Sequence, residues 1–226
     1  MHARSGLSLT RRLALVAAAA LPLALCGAAA HAQNLSPTER FFHAIDIDYP
    51  QGVTEMIAKG FDPNTRNAKG QPALVFALFN ESLKAAQVLW EAPGIQVDAP
   101  DNAGETPLMM AALKAEVDAA TALVAHGAAV NKDGWSPLHY AATGGNAAIV
   151  RLLLSKGAAL EARSPNGTTP LMMAARYGNE EAVDALLAAG ADRTAKNDLG
   201  MDASAFAASA GRERLAARLK PGVAAK

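Results

Sequence analysis

Thr106-Pro107-Leu108-Met109-Met110-Ala111-Ala112 decides the fold, because it returns as Ser136-Pro137-Leu138-His139-Tyr140-Ala141-Ala142 and again as Thr169-Pro170-Leu171-Met172-Met173-Ala174-Ala175. The glycine three residues before each proline is Gly104, Gly134 or Gly167, with Gly70 and Gly200 as outer members, and the successive spacings are 34, 30, 33 and 33. A second series closes each unit: Gly60-Phe61-Asp62, Gly127-Ala128-Ala129, Gly157-Ala158-Ala159 and Gly190-Ala191-Asp192. Self-similarity at a fixed period near 33 means an array of small units that bury their apolar faces against one another, not a globule around one core.

Each residue of the motif has a physical task. The hydroxyl of Thr or Ser accepts a bond from a free N–H at a helix start. Proline at the next position fits the first turn, where no N–H partner is lost. Leu108, Leu138 and Leu171 point into the stack, and the Ala-Ala pairs let the next helix approach closely. In a second helix, Ile149-Val150 and Leu152-Leu153-Leu154 put apolar residues on the faces that meet neighbouring units. Gly157 and its equivalents suit the left-handed conformation that ends a helix, and the Asp/Asn-rich connections turn the chain back.

The recurring motif, the period and the terminal glycine resemble the ankyrin repeat, with its T-P-L-H-x-A signature. The resemblance implies an all-α repeat solenoid of stacked helix-turn-helix units with short β-hairpin-like connecting loops. It covers Asn34 to about Lys220, within an array spanning 33–220. Six units can be laid out, 34–66, 67–100, 101–130, 131–163, 164–196 and 197–220, with a flexible tail at 221–226. The outer two depart from the pattern, with Arg40-Phe41-Phe42-His43 and Asp202-Ala203-Ser204-Ala205 in place of the signature. End units have one face in water and diverge for that reason. The second unit carries one extra residue near Pro93, at a helix end where insertion costs little.

Composition agrees. Of 226 residues 51% are apolar and 19% charged, which excludes intrinsic disorder. Alanine contributes 54 residues against 11 aromatics (6 Phe, 2 Trp, 3 Tyr), which argues for helices and against a sandwich or barrel. The balance of 21 basic and 21 acidic groups removes the bulk electrostatic case for nucleic acid.

Residues 1–32 read as an export leader. Arg4, Arg11 and Arg12 precede the uncharged run Leu13–Leu25, and Ala30-His31-Ala32 is an A-x-A site, so cleavage is expected after Ala32. The run is too short to span a bilayer. Two other readings use the same residues: acylation at Cys26, although Leu25 is not the small residue such sites want, and a twin-arginine signal at Arg11-Arg12, although Ala14 replaces the usual phenylalanine. Each delivers the product outside the cytoplasm, and the periplasm is the expected destination of a leader in this bacterial style. The chain after Ala32 carries 18 basic and 21 acidic groups, net −3, and no cysteine. It therefore has no disulfide, no thiolate metal site and no thiol nucleophile.

One irregularity stands out. Gly127 to Gly134 is seven residues, whereas Gly157 to Gly167 and Gly190 to Gly200 are each ten. Three residues are missing from the connection around Val130-Asn131-Lys132-Asp133. Connections of this family project as a row of fingers, so the row should have a notch between the third and fourth units. Trp135 follows Gly134, at a position that the resemblance places along the binding surface. Its indole either anchors a partner or folds over the shortened turn. The same alignment puts Lys69, Gln71, Phe79 and Asn80 outward, then Asn102, Glu105 and Lys114, then Thr143, Arg176 and Tyr177. Trp90 and the pairs Met109-Met110 and Met172-Met173 read as packing.

No catalytic constellation emerges. The resemblance gives His139 a bond within its own unit, His126 complements a helix dipole, and His43 sits on the first helix. No H-E-x-x-H, G-x-S-x-G or Gly-rich phosphate loop is present. Glu180-Glu181 and Asp46/Asp48 read as solvated faces or caps, and the basic cluster Arg212, Arg214, Arg218 and Lys220 as helix-dipole complementation. The expected function is an exported, non-enzymatic, cofactor-free and monomeric module that binds an unidentified partner protein through the concave surface. The alternative is an inhibitor or immunity protein that neutralises a particular envelope enzyme or toxin.

Overall fold

The computed structural model describes residues 35–220 and Gly222. The expected leader at 1–32, with Cys26 and the arginine pair, lies outside the described residues, as does the tail after Lys220 apart from Gly222. The chain divides into two compact units at Phe41/Phe42. Within the first, Ser36 and Glu39 cap a helix start reciprocally: the Ser36 N–H donates to Glu39 Oε2 at 2.7 Å and the Glu39 N–H to Ser36 Oγ at 3.2 Å.

Twelve helices run through the described residues: α1 Pro37–Asp46, α2 Pro50–Ala58, α3 Ala73–Phe79, α4 Leu83–Trp90, α5 Pro107–Leu113, α6 Val117–Ala125, α7 Pro137–Gly144, α8 Ala147–Ser155, α9 Pro170–Arg176, α10 Glu180–Ala188, α11 Ala203–Ser209 and α12 Glu213–Leu219. None exceeds ten residues, too few to be helical alone in water, so stacking holds them. In the second unit α3, α5, α7, α9 and α11 pack successively as an inner layer, while α2, α4, α6, α8 and α10 pack successively as an outer one. The fold is an all-α repeat solenoid. The isolated antiparallel bridge Arg66–Pro72 is the β pairing recorded among the described residues.

The sequence logic is visible in the contacts. Leu108, Leu138 and Leu171 of the inner layer and Leu89, Leu123, Leu153 and Leu186 of the outer one are buried, each stabilising by roughly 1.5–3 kcal/mol relative to exposure. The alanine pairs 111–112, 141–142 and 174–175 are buried too. Thr106 and Thr169 cap α5 and α9, accepting from the N–H of Met109 and Met172 at 3.4 Å. Trp90 is buried, and Phe42 meets Phe76 edge to face at 5.3 Å.

Two features set the register between units. A side chain four residues after Gly60, Gly94, Gly127 and Gly157 accepts a backbone N–H from the turn that closes the next helix pair: Asn64 from Gln96 at 2.7 Å, Asp98 from Ala129 at 3.0 Å, Asn131 from Ala159 at 2.8 Å and Glu161 from Asp192 at 2.8 Å. The second feature is close backbone approach. A Cβ on Gly144 would stand 2.5 Å from Ala112 O and 2.6 Å from Leu113 O, and one on Gly178 would stand 2.3 Å from Ala142 O.

The basic cluster near the end docks the last helix pair. Arg212 Nη1 lies 2.7 Å from Gly178 O, 2.9 Å from Ala175 O and 3.1 Å from Ala174 O, so the guanidinium complements the C-terminal end of α9, a helix of the preceding unit. Arg218 pairs with Asp184 at 2.7 Å and Glu180 at 3.5 Å on α10. Arg212→Met keeps the stem and takes a bond from three carbonyls, of which Ala174 O keeps the Gly178 N–H. It should cost about 1–3 kcal/mol, read as a lower urea midpoint. An unchanged midpoint would show that solvent serves those carbonyls as well.

Candidate functional site

Fingers built alike occur at 67–71, 101–105, 164–168 and 197–201. In each, the first residue donates to the last carbonyl and the fourth donates back to the first, at 2.8–3.0 Å. Asn67, Asp101 and Asn197 add a side-chain oxygen that accepts two N–H groups of their own finger. The connection at 131–134 has no such reciprocal pair. Its shortening falls after Asn131, which still ties the turn after α6 to the turn after α8 through Ala159 N–H and through Gly157 O, to which its Nδ2 donates at 2.8 Å. The notch read from the glycine spacing is a missing finger in an unbroken stack.

Trp135 stands at that place. Its half-buried ring meets the His139 ring edge to face, with centroids 5.3 Å apart. Trp135, Leu113, His139, Tyr140, Thr143 and Met173 line a cleft of about 230 Å³. The inner helices α5, α7 and α9 contribute all of them except Trp135.

The polar groups that His139, Tyr140 and Thr143 bring to the lining are already engaged. His139 Nδ1 accepts the Ser136 N–H at 3.2 Å, so the proton sits on Nε2, which donates to Thr168 O at 2.9 Å in the next unit. The Tyr140 hydroxyl donates to Glu105 Oε1 at 2.7 Å and the Thr143 hydroxyl to His139 O at 2.9 Å. Burial, then the hydrogen bond and charge of Glu105, push the Tyr140 phenol far above its ordinary value. Burial lowers the His139 pKa, opposed in part by the Thr168 bond. Met109 and Met172 hold the equivalent positions, their Sδ atoms accepting the cap N–H at 3.4 Å.

Below about pH 6.5 the unfolded chain takes up a proton that folded His139 refuses. Stability from this group is therefore complete above that pH and is lost as pH falls toward the lower folded value, by at most about 1.4 kcal/mol per pH unit. Replacing His139 by Met, as in the neighbouring units, should flatten the acid side of the Tm–pH curve. Parallel curves for the two proteins would remove His139 as the cause.

The other residues expected on the surface fall into separate groups. Lys69 and Asn102 lie on adjacent finger tips, where Asn102 Nδ2 donates to Lys69 O at 2.9 Å. Gln71 is tied into its own finger by Asn67 Nδ2 at 3.0 Å. Glu105 is committed to Tyr140. Lys114 pairs with Glu81 at 2.8 Å and lies over the Phe79 ring at 5.1 Å. The Arg176 guanidinium stacks on exposed Tyr177 at 5.1 Å. Trp135 and Thr143 meet in the cleft. Leu113, His139, Tyr140 and Met173 complete it; Met173 reads as packing in the sequence, and Leu113 and Tyr140 carry no local signal for binding. Among the described residues no group of three or more His, Cys, Asp or Glu side chains is placed to hold a metal, and no helix is long and apolar enough to cross a membrane.

Comparison with known proteins fits this geometry. The family model of ankyrin repeats (3 copies) matches residues 41–133 and 127–197. The chain is 34% identical over 119 residues to a candidate palmitoyltransferase, ZDHHC13, of Danio rerio, a stretch covering 50% of this chain and 18% of that protein. It is 37% identical over 92 residues to zygote-specific protein 3 of Chlamydomonas reinhardtii, covering 40% and 25%. The chain thus spans a quarter or less of either relative. Among solved structures it resembles a chain from the complex of the Bd0816 predatory endopeptidase from Bdellovibrio bacteriovorus with immunity protein Bd3460, with a TM-score of 0.68 and 25% identity, covering 80% of this chain and 98% of that one. The recurring signature, the stacked helix pairs and a family match reaching from residue 41 to 197 together show that the chain belongs to the ankyrin repeat family of protein-binding modules.

Proposed function

We propose that the protein works in the periplasm, after export, as a module that takes a partner protein on the face formed by the inner helices and finger tips, with Trp135 at the centre of the contact. The observation that carries this reading is the missing finger, which leaves an indole beside an open, apolar-lined cleft within that face. Export is supported by the basic start, the apolar run Leu13–Leu25 and the Ala30-His31-Ala32 site. Affinity capture from the native envelope fraction tests it. Trp135→Ala should weaken the captured complex by about 2 kcal/mol or more with little change in Tm, whereas Arg151→Ala on outer helix α8 should leave binding intact. Undiminished affinity with a lowered Tm would make Trp135 a cover for its own turn.

A second reading gains from the likeness to a structure of an endopeptidase in complex with an immunity protein: the module neutralises a hydrolase or toxin of the envelope. The captured partner then loses activity in proportion to added chain. A partner that keeps full activity when saturated fits the scaffold reading instead.

A further inference from the structure

We propose that the cleft beside Trp135 takes one large apolar side chain from an exposed segment of the partner protein, and that an acidic residue next to it in that segment meets Arg176. This rests on the inner-helix face being the docking face and adds the chemistry of what docks there. The lining favours an apolar guest. Both His139 nitrogens and the donor protons of the Tyr140 and Thr143 hydroxyls are spent on internal bonds, so Leu113, Met173 and the Trp135 ring offer mainly apolar surface beside the indole N–H. A polar group buried there would find few partners. At about 230 Å³ the space falls below the roughly 300–1,000 Å³ of small-molecule sites and suits a single side chain.

Charge fixes the guest's orientation. Arg176 follows Met173 by one turn on α9 and so shares its face. Its guanidinium stacks on Tyr177, with no carboxylate within ion-pair distance among the described residues. Lys114, on the other flank, is neutralised by Glu81. Glu105, which holds the Tyr140 hydroxyl, lies at the finger side. An acid on the guest is therefore drawn toward the end of α9.

The test is selection of short random peptides displayed on phage against the full-length chain. Enriched sequences should share a large apolar residue with Asp or Glu within a few positions. Trp135→Ala should weaken their binding about thirtyfold. Thr143→Trp, which fills the cleft from its rim, should abolish it. Arg176→Ala should weaken it about tenfold, and Tm values near that of the parent would show the variants folded. Binders indifferent to Thr143→Trp but lost with Lys69→Glu would overturn the cleft proposal and leave the docking face standing. Binders sensitive only to Arg151→Glu on α8, or no enrichment at all, would overturn both.

Discussion

Gly144→Ala should destabilise the protein by about 2–3 kcal/mol, although helix propensity alone predicts a gain of about 1 kcal/mol for alanine over glycine at a helical position. The new Cβ meets two backbone oxygens of α5, at 2.5 and 2.6 Å, and backbone cannot step aside as a flexible side chain can. Relief requires α7 to back away from α5, loosening Leu138 and the buried alanines between them. Gly157→Ala is the informative companion. It meets nothing within 4 Å, but its φ is +86°, so it carries only the left-handed penalty of about 1–2 kcal/mol. Urea unfolding should rank Gly144→Ala as the more costly at unchanged m-values. Equal costs would mean that the inner layer yields at that contact.

Ending the chain after Ala195 should cost more than Arg212→Met does. The cut removes buried Phe206, Leu215 and Leu219, each worth roughly 1.5–3 kcal/mol gross, together with the Arg212 and Arg218 contacts to α9 and α10. Conformational entropy recovered by the lost residues offsets part of that. The exposed face of α9 should also make the shortened chain self-associate. Sedimentation and thermal unfolding measure both effects. A monomeric product with an unshifted Tm would show that the fifth helix pair needs no cover.

Much of this is legible in the sequence because periodicity and caps are local. The spacing of Gly70, Gly104, Gly134, Gly167 and Gly200 carries the stack, Thr106 and Thr169 mark helix starts, and the short interval at Gly127–Gly134 marks the absent finger. The hidden part depends on side chains meeting across more than thirty residues. Nothing near Arg212 says that its guanidinium ends on α9, and nothing near Glu105 says that Tyr140 claims it. By sequence Trp135 is equally open to turning outward or over its own backbone. Its ring meets His139 edge to face, beside the connection that lacks a finger. Leu113 and Met173 line the cleft from two other units, a juxtaposition set by how neighbouring helices register.

Asn131 gives the shortened connection a meaning for how such a protein diversifies. The residue that ties the turn after α6 to the turn after α8 comes before the deletion, so a change in the length of the loop beyond Asn131 leaves those bonds in place. Such a change alters the surface beside Trp135 more than the joint beneath it. Lineages can therefore explore new partners at that point through changes in loop length, while the scaffold passes unchanged from one specificity to the next.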